Sequence, residues 1–166
     1  MANREIITIP HPTLRKTASK ITKFDDELQT LIADMVETMR EGKGVGLAAP
    51  QVNVSQRVIT VEFGSDEDET IPATLYVVVN PEIINQSKEE AIGAEGCLSV
   101  PGLTGDVARA YSVTVRGKTK EGNLFKMKAK GWLARIFQHE IDHLNGILFT
   151  DRAEDIWETE AEIDNV

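Results

Sequence analysis

Two histidines and a glutamate at helical spacing are the clearest chemical feature of this 166-residue sequence. The segment His139 to His143 has the pattern H-E-x-x-H, and the apolar spacing from about Trp132 to Leu144 predicts that it lies on a helix. Histidines four positions apart on a helix lie about 40° apart around its axis, so both imidazoles can reach one metal ion. Glu140, beside them, can accept a proton from an attacking water molecule. The pattern therefore predicts a metal centre with a general base.

A catalytic metal site usually has three protein ligands and one open position, so a third ligand is needed. The position of a third histidine in the metzincin pattern is Phe149 here, which excludes that arrangement. Glu160 or Glu162 would suit a thermolysin-like metal site, although both lie in a segment that is acidic throughout. Cys97, the only cysteine, lies in a stretch bounded by glycines and a proline, whose backbone can come close to a ligand. A lone cysteine is usually a small buried hydrophobe, but beside an H-E-x-x-H that lacks an imidazole third ligand we favour Cys97 as the ligand. Metal binding would deprotonate its thiol.

Composition and charge narrow the class of protein. The length predicts one domain covering residues 1–166. The formal net charge of −9 argues against a broad nucleic-acid footprint. The C-terminal segment, about residues 151–166, alone carries −6 of this charge, and we predict that it is a solvated helix or a frayed tail. A single cysteine allows no intramolecular disulfide, and no apolar run approaches the roughly 20 residues that span a bilayer. These features predict a cytoplasmic protein without a membrane segment.

Hydrophobic periodicity places the surrounding elements. Asp25 can cap a helix that runs to about Glu41, with Gly42 and Gly44 ending it. The helix from Trp132 to Leu144 can stop at Asn145-Gly146. Strand patterns occur at Val58 to Phe63, at Leu75 to Val79, and in a hairpin of Tyr111 to Arg116 with Leu124 to Ala129. The segment Gly64 to Thr74 is predicted to be an acidic loop. Strands around two helices, without regular alternation, predict an α+β fold.

The segment Gly44 to Gln51 begins with a G-x-G-x-x-A pattern. A dinucleotide-binding fingerprint would follow a strand and open a helix, whereas a helix precedes this segment and Pro50 would interrupt a new one. We reject a nucleotide site here. A glycine-rich segment can instead lay its backbone beside an extended peptide.

Three segments together resemble the signature motifs of the peptide deformylases: Gly44 to Gln51, Glu95 to Gly102 and Gln138 to Gly146. They occur in the family's order, and Ile9 to Arg15 is similar to its opening stretch. The resemblance runs from about residue 6 to about residue 150 and implies mainly antiparallel strands packed around a central metal-binding helix. It also implies removal of the N-formyl group from nascent chains that begin with formylmethionine, with release of formate.

The resemblance assigns roles to individual residues. It implies metal ligands Cys97, His139 and His143, with Glu140 as general acid and base. It assigns the Gln51 side chain and the Leu98 backbone N–H to the developing oxyanion. Val45 and Gly46 would contact the peptide through their backbone, and Trp132 and Ile136 are candidates for the wall of the methionine pocket, although core packing explains both nearly as well. Arg109 matches a position that the family often keeps basic, and we assign it no role; His11 is expected to be structural or exposed.

The implied cofactor is one divalent metal ion. The resemblance favours Fe2+, and Zn2+, Ni2+ and Co2+ suit the same thiolate and imidazole ligands. The partner is a formyl-Met peptide on nascent chains near the ribosome, with no direct nucleic-acid binding expected. Many bacterial members have a longer and more basic C-terminal region, so the acidic end here puts ribosome docking by that segment in doubt.

Two other classes of protein fit part of the pattern. A metal-dependent endopeptidase would use Glu160 or Glu162 as third ligand and would keep its metal without Cys97. A metal-stabilised binding module would usually have four protein ligands and would lose no activity without Glu140.

Overall fold

The computed structural model describes residues 2–159, which form two antiparallel sheets and three α-helices. The five-stranded sheet has the order β1-β2-β3-β6-β7, and the three-stranded sheet has the order β4-β5-β8. The strands are β1 (Gly46–Ala48), β2 (Val58–Phe63), β3 (Thr74–Gln86), β4 (Glu90–Cys97), β5 (Val100–Ala110), β6 (Ser112–Lys118), β7 (Leu124–Lys130) and β8 (Asp155–Glu158). The helices are α1 (Asp26–Glu41), α2 (Gly131–Leu144) and α3 (Phe149–Arg152), with short 3-10 helices at Pro12–Arg15 and Ala49–Val52. The α+β prediction is confirmed.

Helices α1 and α2 cover opposite faces of the five-stranded sheet. In β2, Ile59 and Val61 point into a core shared with α2, whereas Val58 belongs to the core under α1. This alternation follows from the two-residue period of a strand. Helix α2 is therefore buried between the two sheets, with 11 of its 14 residues in the interior. A helix in this position holds its side chains rigidly.

The predicted helix ends are largely confirmed. The Asp25 side chain accepts a hydrogen bond from the Leu28 N–H and caps α1. Gly146 has a φ of 74° and lets α2 end in a Schellman motif, in which its N–H and that of Ile147 bond back to the last turn. At the end of α1, however, the left-handed residue is Lys43, with a φ of 57°, and not either neighbouring glycine.

Gly42 and Gly44 pack closely against the Leu98 side chain, and neither has a positive φ. A Cβ atom on Gly42 would lie 3.0 Å from Leu98 Cδ1, and one on Gly44 would lie 3.2 Å from the same atom. The loop after α1 is thus held against the turn between β4 and β5. The prediction that the helix ends at these glycines was right in position, but the left-handed turn that ends it is made by Lys43.

The prediction of a solvated helix or frayed tail at the C-terminus is wrong for residues 151–159, most of which are part of α3 and β8. Residues Phe149–Arg152 form α3, and Asp155–Glu158 form β8, which pairs with β5 along Leu103 to Asp106. Residues 160–166, which include Glu160 and Glu162, lie outside the described part of the chain. The other strand predictions are confirmed, and β3 extends beyond the predicted Leu75 to Val79.

Candidate metal centre

Helix α2 and the end of β4 bring together the three predicted metal ligands. The ligand atoms of Cys97, His139 and His143 all lie within 4.8 Å of one another. All three residues are buried, with at most 2% of their surface exposed. The two candidates for a carboxylate ligand, Glu160 and Glu162, are outside the described residues. The geometry therefore supports the thiolate and two imidazoles as one ligand set.

The Glu140 carboxylate faces the same site and is fully buried. Neither of its oxygens has a hydrogen-bond partner among residues 2–159. Gly46 of β1 lies directly against it, because a Cβ atom on Gly46 would collide with Glu140 Oε2. Two unpartnered carboxylate oxygens in the interior are costly, so this side chain is placed for a ligand or a reacting group.

The Gln51 side chain is fixed at both ends of its amide. Its Oε1 accepts a hydrogen bond from the Ala48 N–H at 3.0 Å, and its Nε2 donates to Ser99 Oγ at 3.1 Å. The same nitrogen lies 3.6 Å from Cys97 Sγ, so one N–H is directed at the metal site. Leu98 lies directly after Cys97, in the turn between β4 and β5. The amide of Gln51 is thus orientated before any substrate binds.

Glu95 is a functional residue that the sequence analysis missed. It is fully buried two positions before Cys97, and its Oε1 accepts a hydrogen bond from His139 Nδ1 at 2.9 Å. That bond leaves His139 Nε2 as the ring nitrogen for the metal, as expected when an outer carboxylate orientates a metal-binding histidine. Nε2 has no other partner among the described residues.

Two buried arginines neutralise Glu95. Arg109 donates to both of its oxygens at 2.8 Å, and Arg135 donates to Oε2 at 2.6 Å. Arg109 also donates to Asp142, and Asp142 accepts a second hydrogen bond from Arg152 of α3. Arg109, to which we assigned no role, is therefore part of the scaffold behind the metal ligands. A sequence offers no signal for which of its 18 basic residues will pair with a buried acid.

The electrostatic environment suits a cation at the triad. Burial raises the pKa of the Cys97 thiol to about 12, and the nearby Glu140 carboxylate adds to the increase. Burial also raises the pKa of Glu140 and lowers the pKa of His143, which keeps this imidazole neutral. Burial alone would raise the pKa of Glu95, but hydrogen bonds from Arg109 and His139 outweigh it and hold the pKa far below its usual value.

A divalent metal fits these residues. It would stabilise a Cys97 thiolate that burial otherwise disfavours, and it would give His139 Nε2 the partner that it lacks among the described residues. Its positive charge would also favour the ionised form of Glu140. Three protein ligands beside an unpaired carboxylate are typical of an open, catalytic metal site.

The predicted peptide-binding residues Val45 and Gly46 lie just before and at the start of strand β1. β1 pairs only with β2 among the described strands, so its other edge is available. The Ala48 N–H points to that edge, and Gly46, two residues away, directs its backbone the same way. Val45 is half-buried, and its carbonyl already accepts the Glu62 N–H.

The two predicted pocket residues differ in exposure. Trp132 is half-buried and borders a cavity of about 190 Å3 with Gly93 and Arg135, and none of the three metal ligands lines that cavity. Ile136 is fully buried in the core under α2. His11 caps the first 3-10 helix through its Nδ1, which agrees with a structural role.

The fold and the site define a metal-dependent hydrolase built on an H-E-x-x-H helix with a cysteine as third ligand. A family model of polypeptide deformylases matches residues 3–158. A peptide deformylase of Natranaerobius thermophilus is 46% identical over 160 residues, which cover 96% of this chain and 98% of that protein. Peptide deformylase 1 of Bacillus subtilis is 45% identical over 152 residues, covering 92% and 91%.

Solved structures agree with this match. The crystal structure of the Thermotoga maritima peptide deformylase superposes with a TM-score of 0.86 at 38% identity, covering 93% of this chain and 100% of that one. A Met-Ala-Ser-bound class I type b peptide deformylase from Acinetobacter baumannii has a TM-score of 0.84 at 40% identity, covering 91% and 98%. The chain belongs to the peptide deformylase family.

Proposed function

We propose that this chain hydrolyses the N-formyl amide of polypeptides that begin with N-formylmethionine and releases formate. The observation that carries the proposal is the unpaired Glu140 carboxylate beside the triad of Cys97, His139 and His143. Family membership supports the reaction, and the Met-Ala-Ser tripeptide bound to the Acinetobacter baumannii enzyme supports a substrate that begins with methionine.

Cys97, His139 and His143 would hold one divalent metal, and the hydrogen bond from His139 to Glu95 orientates that imidazole. When bound, the metal would act as a Lewis acid and lower the pKa of water from about 15.7 to about 7. We retain Fe2+ as the physiological ion, and Zn2+, Co2+ and Ni2+ suit the same ligands.

Glu140 would move the proton. Its carboxylate accepts a proton from the attacking water and then gives it to the amine nitrogen that leaves when the amide bond breaks. Gly46 keeps the space in front of this carboxylate open, because it has no side chain there. A positioned acid and base contributes about 10²- to 10⁴-fold to the rate.

Gln51 and Leu98 would stabilise the formyl oxygen as it gains negative charge. The Gln51 amide is already held by Ala48 and Ser99, so its Nε2 needs no reorganisation to donate. The Leu98 N–H is the second proposed donor. Loss of one such donor costs about 3–4 kcal/mol of transition-state stabilisation.

The peptide would bind along the free edge of β1 as an added strand, with Gly46 supplying backbone hydrogen bonds and Val45 flanking it. Trp132 would form a wall of the methionine pocket, and Ile136 would shape that pocket from behind, within the core under α2. We place the enzyme in the cytoplasm, where nascent chains are made and a thiol ligand stays reduced. No helix within residues 2–159 is long and apolar enough to cross a membrane.

The test is formate release from a short formyl-Met peptide by protein purified anaerobically with Fe2+. The Glu140→Ala variant should lose activity by about 10²-fold or more and keep its metal, whereas the matched Glu41→Ala variant, at an exposed position, should retain activity. Replacing the metal and measuring activity against metal content would identify the preferred ion.

Two outcomes would reject the proposal. A folded, metal-loaded wild type that releases no formate would exclude deformylation. A Cys97→Ala variant that binds metal as tightly as the wild type would instead favour an endopeptidase with Glu160 or Glu162 as ligand.

A further inference from the structure

Positive charge is concentrated in one hairpin of an acidic protein. The hairpin of β6 and β7, residues 112–130, contains six of the 18 basic residues and one acid, Glu121. It therefore carries +5 in a chain of net charge −9, so the remaining residues carry −14. Charge asymmetry of this kind is typical of proteins that bind a polyanion.

The charges share one face of the sheet, which we call the basic face: Arg116, Lys118, Lys126, Lys128 and Lys130, all exposed. The opposite face carries Val113, Val115 and Ala129, which are buried under α2. Alternate residues of β7 supply three lysines in a row, so their Cα atoms lie about 6.8 Å apart along the strand. The basic face thus points away from the metal centre.

The register of the hairpin brings like charges together. Arg116 lies directly opposite Lys126, and like charges at opposed positions destabilise a sheet. Glu82 of β3 pairs with Arg116, which offsets part of this repulsion. Lysines on an edge strand also prevent edge-to-edge association, and β7 is an edge strand. Protection of an edge does not explain the charges of Arg116 and Lys118, because their strand, β6, is paired with β3 on one side and β7 on the other.

A groove lined mainly by polar side chains adjoins the basic face. It has a volume of about 260 Å3 and is lined by Lys128, by Val113 and by amide and hydroxyl side chains: Asn85, Gln86, Ser87, Ser112 and Thr114. Arginine, lysine, serine, threonine and asparagine side chains are the usual partners of phosphate and sugar oxygens. The 2′-hydroxyl groups of RNA can both donate to and accept from such a lining.

We propose that the basic face and its groove form a binding surface for the phosphate backbone of RNA. A membrane surface fits less well, because membrane-binding faces insert several apolar side chains and Leu124 is the exposed large apolar residue of this hairpin. The proposal replaces the expectation, drawn from net charge alone, that the protein has no nucleic-acid contact. It does not rest on the proposed function, because the surface shares no residue with the metal centre.

The experiment measures binding of the metal-loaded protein to a fluorescent 20-base-pair RNA duplex by anisotropy, between about 50 and 200 mM salt. The test variant is Lys126→Gln/Lys128→Gln/Lys130→Gln. The control variant, Lys16→Gln/Lys20→Gln/Lys23→Gln, makes the same charge change at three exposed positions outside the hairpin. The wild type should bind with affinity that falls as salt rises.

The hairpin variant should lose at least about tenfold in affinity at 50 mM salt, and its salt slope should be smaller by about 3. The control should bind like the wild type, and both variants should keep the urea-unfolding midpoint of the wild type, which shows that they fold. Absent RNA binding by the wild type, or an equal loss in both variants, would overturn the proposal. So would binding to vesicles of anionic lipid in preference to RNA.

Discussion

The Glu95 side chain connects the metal ligands to the scaffold behind them. It accepts hydrogen bonds from His139, Arg109 and Arg135, and is fully buried. A buried carboxylate is costly unless its charge is paired, and here two guanidinium groups satisfy it. In return, Glu95 gives both arginines their counter-charge and fixes the ring of His139. His143 is held differently, because its Nδ1 has no partner among the described residues.

We expect Glu95→Gln to weaken both folding and metal binding. The amide keeps the shape of the side chain but leaves the buried Arg135 without a carboxylate partner and Arg109 with Asp142 alone, which should lower the free energy of unfolding by about 3 kcal/mol. A less well orientated His139 should reduce metal affinity by about 10- to 100-fold. Urea unfolding and a competitive chelator titration would measure the two effects. The matched exposed variant Glu90→Gln should change neither, and an unchanged metal affinity in Glu95→Gln would contradict the orientating role.

At the scale of elements, the approach of β1 to α2 depends on a residue without a side chain. Gly46 allows the strand to lie against Glu140, with no room for a Cβ atom. We expect Gly46→Ala to displace either the strand or the carboxylate, and to lower kcat by about 10²-fold, because small misplacements at a catalytic group are costly. Formate-release kinetics and a metal assay would test this. Activity equal to that of the wild type would show that the close approach is not needed for catalysis.

The N-terminal segment is a second positioning element. The N–H groups of Ile7 and Ile9 donate to the carbonyl oxygens of Gln51 and Ser99, the two residues whose side chains meet at the site. Nearer the N-terminus, Asp34 of α1 accepts hydrogen bonds from the Ala2 N–H and from Arg4. These contacts connect α1, the 3-10 helix at Ala49–Val52 and the turn between β4 and β5.

This attachment should depend on pH through Asp34. The hydrogen bond from the Ala2 N–H, and then that from Arg4, lower the pKa of Asp34 from its usual 3.8 despite its burial. A lowered pKa contributes stability that is present above the unfolded value and is lost as the pH falls through the folded value. The difference in unfolding free energy between wild type and Asp34→Asn should therefore be constant from pH 7 to about 5, and should shrink below about 4. Urea titrations at several pH values would measure it. If the difference in unfolding free energy instead increased below about pH 4, the pKa of Asp34 would be raised by folding and not lowered.

The elements that the sequence did not predict are those in which packing overrides local preference. α1, α2, β2 and the hairpin of β6 and β7 have the apolar periods or turn residues that predict them. β4 and β5 contain Gly93 and Gly105, which weaken a strand pattern. Both glycines are required by contacts from elsewhere: Gly93 lies against the Arg135 guanidinium, and Gly105 lies against Ala153 and Phe149. Such contacts join residues far apart in the chain, so no local sequence pattern predicts them.

At the scale of the whole molecule, the ligand set was predictable but its support was not. The spacing of His139 and His143 on one helix follows from sequence, and Cys97 followed from its motif. The Glu95 pairing with Arg109 and Arg135 depends on how β4, β5 and α2 meet. The net charge likewise concealed an acidic body with one basic face. Properties that arise from the arrangement of elements need the folded structure.

The C-terminal strand provides a test at this scale, because β8 covers the outer edge of β5 and shares no residue with the metal centre. A chain that ends at Glu154 would lose β8, in which Ile156 and Trp157 are 42% and 40% exposed and otherwise buried. Burial of roughly half of two large apolar side chains stabilises by about 2 kcal/mol, so the Tm should fall by about 4–8 °C.

The shortened chain should also associate in a concentration-dependent manner, because removal of β8 leaves the backbone groups of β5 unpaired at an edge. Its net charge would fall in magnitude from −9 to −4, since five acids and no base are removed, and this further favours association. A chain that ends at Thr159 is the matched control, because it keeps β8 and loses only residues 160–166. Calorimetry and light scattering would compare the two, with formate release from a short peptide expected to persist in both. If the two chains have equal Tm values and the same mass by light scattering at all concentrations, β8 contributes no stability and does not protect the edge of the sheet.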